Sequence, residues 1–99
     1  MKEYSIKECD LDLLKDYISN YILKNNKKYV TQGFMIYLGE YFLRIKYNHH
    51  IYKTTIIKVG KERYWYLKPY NKSYYTTSAK SLNSFELVIY AIKENDKNY

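Results

Sequence analysis

The stretch that decides the fold is residues 41–67, YFLRIKYNHHIYKTTIIKVGKERYWYL. It is rich in Tyr, Ile, Val, Thr, Phe and Trp, the residues that favour strands, and Gly60-Lys61-Glu62 marks a hairpin turn. The pattern predicts strands over Tyr41–Ile45, Ile51–Ile57 and Arg63–Leu67. A short strand follows at Tyr74–Thr76, whereas residues 29–38 fit either a strand or a short helix.

Helices are predicted on both sides of this stretch. From Asp10 to Lys24 apolar residues recur at three- and four-residue spacing, and Asn25-Asn26 ends the pattern. Near the other end, Asn83 and Glu86 form a capping-box pattern before an apolar stripe that Asn95 closes. The expected fold is therefore a single α+β domain over residues 1–99, with an antiparallel sheet of three to four strands and a helix near each end.

Charge is concentrated in the middle of the 99-residue chain. The whole sequence carries 17 Lys and Arg against 10 acids, for a net charge of +7, and its apolar content of 46% is typical of a folded domain. Residues 17–80 hold twelve of the bases and only two acids, Glu40 and Glu62. This distribution predicts a surface that binds anions.

Several classes of protein are not predicted. No apolar run approaches the roughly 20 residues of a membrane span, and the charged start of the chain does not indicate a signal peptide. Cys9 has no second cysteine to pair with, which fits a reducing compartment. One cysteine and two consecutive histidines, His49 and His50, do not favour a metal site. No catalytic constellation stands out, so we expect neither an enzyme nor a cofactor.

Five short motifs resemble those of one family, in order and with similar spacing. Gly39–Arg44 (GEYFLR) is similar to G-x-[FY]-L-V-R, and Tyr52–Ile56 is similar to Y-x-L-S-V. Residues 64–67, 74–78 and 82–90 then follow where H-Y-x-I, Y-Y-I-T-S and F-N-S-L-x-x-L-V-x-Y are expected. This set resembles the Src-homology-2 (SH2) domain and covers a little over half of the chain.

The resemblance implies binding of phosphotyrosine in a partner protein. Arg44 would grip the phosphate with its planar fork, and the 45–51 loop would close over it with Lys46, His49 and His50. On the family's layout Lys53 points into the same pocket, Tyr64 and Tyr66 contact the phenyl ring, and Trp65 contributes to peptide specificity. A stand-alone domain of this kind resembles a viral or bacterial effector that acts on signalling in the host cytosol.

Alternatives stay open at this point. In a second register, Gly33–Tyr37 is the signature strand, and Tyr37 then stands where the arginine belongs. Fifteen tyrosines and a net charge of +7 also fit a small basic nucleic-acid-binding protein. A third possibility is a degenerate SH2-like fold that binds a protein without phosphate. Trp65 itself fits a core position as well as a peptide contact.

Overall fold

The computed structural model describes residues 9–79 and 85–97. Helix α1 (Leu11–Tyr17) runs into a π-helical turn (Ile18–Ile22) and is followed by α2 (Asn26–Thr31). Five strands then form one antiparallel sheet, and α3 (Phe85–Lys97) comes last. The strands are β1 (Phe34–Leu38), β2 (Leu43–Tyr47), β3 (His50–Val59), β4 (Glu62–Lys68) and β5 (Thr76–Ala79).

The strands follow one another in space as they do in sequence, so that each pairs with its neighbour in the chain. Two tight turns fix the central register. Asn48 and His49 both have positive φ, which suits the right-handed twist of the β2–β3 hairpin, and Gly60 (φ 64°) begins the β3–β4 turn. Arg44 therefore lies opposite Lys53, and Lys53 lies opposite Lys68.

Side chains alternate across the sheet, which gives it two different faces. The inner face is apolar and carries Leu43, Ile45, Tyr52, Ile56 and Trp65, all fully buried. Residues from all three helices pack in this same cluster: Leu14, Tyr29, Phe85, Val88, Ile89 and Ile92. No described helix covers the outer face, which has two parts: Arg44 and Lys46 are exposed at one end, while Ile57, Tyr66 and Tyr75 form a second, smaller buried cluster on the same face.

The expected α+β architecture, with an antiparallel sheet and helices at both ends, is confirmed. The sheet has five strands rather than three to four, because the ambiguous segment 29–38 contains the end of α2 and the whole of β1. Gly33, with φ 92°, separates the two: its amide donates to the Val30 carbonyl and closes the helix. Because Gly33 has a left-handed conformation, the chain can change from helix to strand within the segment 29–38.

The predicted helices form with small differences. Asp10 caps α1 by accepting from the Leu13 amide, and a π-helical turn interrupts the predicted 10–24 helix. Asn83 lies outside the described residues, so its capping role stays a prediction. The carboxylate of Glu86 accepts from the Tyr29 hydroxyl at 2.8 Å and from Lys28 at 3.1 Å, which joins α3 to α2.

The end of α3 is joined to the β2–β3 hairpin. Asp96 Oδ1 accepts from the Tyr52 hydroxyl at 2.7 Å and lies 2.7 Å from His50 Nδ1, while Asp96 Oδ2 accepts from the Asn48 amide at 2.8 Å. Burial alone would raise the pKa of Asp96, but the hydrogen bonds from Asn48, His50 and Tyr52 outweigh it and lower that pKa. The helix thus continues to Lys97, past the Asn95 end that the sequence predicts.

Candidate anion-binding site

A row of three cations crosses the outer face. Arg44 on β2 lies directly opposite Lys53 on β3, which lies directly opposite Lys68 on β4. We call these three residues the cationic row. Because neighbouring strands lie about 4.8 Å apart, the row spans roughly 10 Å. Lys46, two residues along β2 from Arg44, adds a fourth positive charge to the same face.

No acid neutralises the cationic row among the described residues. The ion pairs that the structure contains join Lys28 to Glu86, His50 to Asp96, Arg63 to Asp10 and Lys97 to Glu94. Glu62 shares the outer face, but it starts β4 while Lys68 ends it, so about 20 Å of strand separates them. Glu40, in the turn between β1 and β2, forms none of these ion pairs either. The cationic row therefore carries no ion pair in the described structure.

Beside the row lies a shallow hollow of about 230 Å³, which we call the lysine pocket. Its walls combine three cations with three apolar or aromatic side chains: Ile51, Lys53, Lys68, Pro69, Tyr70 and Lys72. A turn places Lys72 at the rim, since its amide donates to the Pro69 carbonyl at 3.1 Å. The pocket thus offers positive charge and an apolar surface to the same ligand.

Two side chains of the pocket are held in place by aromatic contacts. The Tyr70 ring stacks on His50, with centroids 3.8 Å apart and planes 9° apart, and meets the Tyr52 ring edge-on. The Lys53 ammonium lies 4.7 Å from the centre of the Phe42 ring, a cation–π contact. These contacts limit the motion of both side chains before a ligand binds. The entropy cost of ordering them on binding is therefore smaller.

The two candidate registers of the signature strand converge on one place. Tyr37 on β1 pairs directly with Arg44 on β2, so the signature position of either register lies on the outer face. Arg44 is exposed and has no pocket wall over it in the described structure. It therefore lies on an open surface rather than at the bottom of a hollow.

The two histidines that were predicted to bind phosphate together with Arg44 do not lie beside it. His50 faces the inner side, where Asp96 and Tyr70 engage its ring, because it occupies the same parity on β3 as the buried Tyr52. His49 sits in the turn and borders a separate hollow of about 300 Å³ with Lys46 and Met35. The prediction that His50 belongs to a phosphate-binding loop is therefore corrected: its ring lies on the inner side of the sheet and stacks on the ring of Tyr70.

The tyrosines predicted to contact a phenyl ring are mostly used for packing. Tyr64 and Tyr66 face outward on β4, but they cluster with Ile57, Val59 and Tyr75, and Tyr66 is buried. Their rings are 6.1 Å apart and nearly perpendicular. Tyr66 thus offers no free ring to a ligand.

Trp65 belongs to the core rather than to a peptide-binding surface. Its side chain is 0% exposed and meets the rings of Tyr17 and Phe85 edge-on, each at 5.2 Å. Strict alternation along β4 turns it away from the cationic row. Its predicted role in peptide specificity is therefore not supported by its position.

Four residues of the site were not singled out from the sequence: Lys68, Pro69, Tyr70 and Lys72. A signal for Lys68 was present, because a two-residue turn at Gly60-Lys61 pairs Val59 with Glu62 and then, by counting outward, Lys53 with Lys68. No comparable signal exists for Tyr70 or Lys72, whose positions depend on the course of the chain after β4.

Cys9 contacts Thr55 and the Tyr41 carbonyl, and burial raises the pKa of its thiol, which disfavours the reactive thiolate. The described residues contain no cluster of three or more His, Cys, Asp or Glu side chains that could hold a metal ion. None of the described helices is long and apolar enough to cross a membrane.

Comparison with known proteins adds no family to this description. No protein-family model, no curated protein and no solved structure matches the chain. The resemblance to SH2 domains accordingly rests on the five short motifs between residues 39 and 90, and the functional argument rests on the site itself.

Proposed function

We propose that this protein binds a tyrosine-phosphorylated segment of a partner protein on the outer face of its sheet. The observation that carries the proposal is the cationic row beside the lysine pocket, with no acid opposing it in the described structure. A phosphotyrosine combines a charge of about −1.5 to −2 with an aromatic ring. The site pairs the same two properties, positive charge and apolar walls.

The two parts of the ligand would lie on different parts of the site. The phosphate lies over the cationic row, where Arg44 donates two parallel hydrogen bonds and Lys53 adds a charge. The phenyl ring lies in the lysine pocket against Ile51, which is 46% exposed on the strand that carries Lys53. A phosphoserine would place the same charge there without the ring, so we expect it to bind more weakly.

Titration of a phosphotyrosine peptide, followed by calorimetry or fluorescence anisotropy, tests this proposal. We expect binding of the phosphorylated peptide and none of the same peptide with plain tyrosine. Arg44→Ala removes charge-assisted hydrogen bonds worth about 1.5–3 kcal/mol, so affinity should fall roughly 10- to 100-fold. Arg44→Lys keeps the charge but loses the fork, and should recover only part of the loss.

Lys24→Ala is the matched control. Lys24 is exposed and lies in the turn between the π-helical turn and α2, so the variant loses one positive charge without touching the outer face. We expect it to bind like the parent. Equal binding of the phosphorylated and plain peptides would favour a fold that recognises protein without phosphate, and parental affinity in Arg44→Ala would rule the site out.

Single-stranded nucleic acid is the second candidate ligand. It is favoured by one feature, the openness of the face: Arg44 and Lys46 are exposed, and Tyr37, 47% exposed, lies beside them with a ring free to stack on a base. Binding would then weaken steeply with salt, with a logarithmic slope near −0.7 per phosphate. Such a slope with random single-stranded DNA, together with no preference for phosphotyrosine, would replace the first candidate by the second.

A further inference from the structure

The two edges of the sheet differ in how well they are protected. The β5 edge is short, is made of Thr, Ser and Ala, and has an irregular register beside Trp65 and Tyr66. The β1 edge, Phe34–Leu38 (FMIYL), has no charge and no proline, and it pairs with β2 in an unbroken register. Natural sheets prevent unwanted pairing at their edges with charged residues, β-bulges or short strands. Strand β1 has neither a charged residue nor a bulge.

Apolar side chains surround this open edge. Met35, Tyr37 and Leu38 on the strand are each about half exposed, at 49%, 47% and 54%, and Val30 on α2 is 54% exposed. A groove of about 160 Å³ runs between α2 and β1, lined by Val30, Met35, Ile36, Tyr37 and Asn26. In the described structure no strand pairs with the outer edge of β1. A further strand would find both unpaired backbone groups and an apolar groove there.

We propose that β1 pairs in antiparallel fashion with β1 of a second copy, around a two-fold axis at Ile36. In this register Met35 of one copy lies opposite Tyr37 of the other, on the outer face, and each pair brings a thioether to an aromatic ring. Phe34 lies opposite Leu38 on the inner face. The strand is self-complementary because no position between Gly33 and Gly39 is charged.

The net charge of +7 does not prevent this pairing. The nearest outer-face cations, Arg44 and Lys46, lie one strand inside the edge, on β2. Across the two-fold axis the two β2 strands are three strand spacings apart, about 14 Å. That separation exceeds the Debye length of about 8 Å at physiological ionic strength, so the repulsion between them is largely screened.

Pairing at this edge would join the outer faces of the two copies. A two-fold axis between antiparallel strands of one sheet stands perpendicular to the sheet, so both cationic rows lie on the same side of a continuous sheet. The pairing itself does not depend on what the rows bind.

Sedimentation equilibrium over about 5 to 500 μM, a range that brackets a micromolar dissociation constant, tests the proposal. We expect the average mass to rise with concentration from 12.1 kDa toward twice that value. The double variant M35K/Y37K sets lysines opposite each other in both pairs, on side chains that are already exposed, and should raise the dissociation constant at least tenfold.

The control is L87K/Y90K, which makes the same changes in charge and apolar area on the exposed face of α3 and should dimerise like the parent. Circular dichroism of each variant reports whether it is folded. A mass that stays at 12.1 kDa across the range would overturn the proposal, and so would a dimer that M35K/Y37K does not weaken. Phosphopeptide affinity is measured on the parent alone, because Y37K sets a charge directly opposite Arg44; the mass measurement does not depend on whether the peptide binds.

Discussion

The inner and outer faces of the sheet come from the same strands, but the inner face stabilises the fold whereas the outer face carries exposed charge. Along β3, for example, Tyr52 and Ile56 point inward and are fully buried, while Lys53 points outward beside Arg44. The inner side chains exchange water for close packing under three helices, so they stabilise the fold. The outer cations form no ion pair with a described acid, so their charge is not used to hold the fold together. Such a surface is available for a ligand.

Loss of a core side chain from the inner face should lower the stability of the protein more than any other change considered. Trp65→Ala removes the largest fully buried side chain, which contacts Tyr17 and Phe85, and should lower the free energy of unfolding by about 3–5 kcal/mol. Urea unfolding followed by circular dichroism measures it, because the variant has no tryptophan left to fluoresce. Tyr90→Ala, at an exposed aromatic of α3, should change the value by less than about 0.5 kcal/mol. A loss below 1 kcal/mol in Trp65→Ala would contradict a core role.

A smaller effect concerns the link between α3 and the hairpin. Since the pKa of Asp96 is lowered in the folded state, its contribution to stability is complete above about pH 4, the ordinary value, and is lost as pH falls through the folded pKa. Asp96→Asn should cost about 1.5 kcal/mol at pH 7, and the difference from the parent should shrink below pH 4.

Unfolding by urea at several pH values measures this difference. Asp10 and Glu86 also have lowered pKa values and change the parent and the variant alike, so the difference isolates Asp96. Asp16→Asn, at an exposed acid of α1, serves as the control. A difference that stays constant down to pH 2 would contradict the role given to the carboxylate.

Removing cations from the outer face should hardly change the stability of the fold. Arg44→Ala and Lys46→Ala remove exposed cations without described partners, so the free energy of unfolding should stay within about 0.5 kcal/mol of the parent. The same urea experiment measures both. A loss above 1 kcal/mol in either variant would show that the outer face also supports the fold, and binding defects there would then need a structural explanation.

Particular residues show how far prediction from the sequence reaches. The alternation of Tyr52 and Lys53 is local, and it correctly predicts a strand in which these two side chains lie on opposite faces. Arg44 and Lys53 were both selected as phosphate ligands, and they lie directly opposite each other, although phosphate binding itself is still a prediction. His50 and Trp65 were selected with them and face the other side. Motif spacing identifies positions along the chain, but only the parity of each strand decides which positions share a face.

The helices near both ends, the hairpin at Gly60 and the positive charge of the middle of the chain follow from local sequence, because periodicity, turn chemistry and composition are properties of neighbouring residues. Only the tertiary structure decided that all three helices cover one face, and that Lys68, Tyr70 and Lys72 complete a pocket with Lys53. Within residues 9–79 and 85–97, it also leaves the outer edge of β1 without a partner strand. These features depend on contacts between residues far apart in the chain, whose geometry is set by packing rather than by local preference.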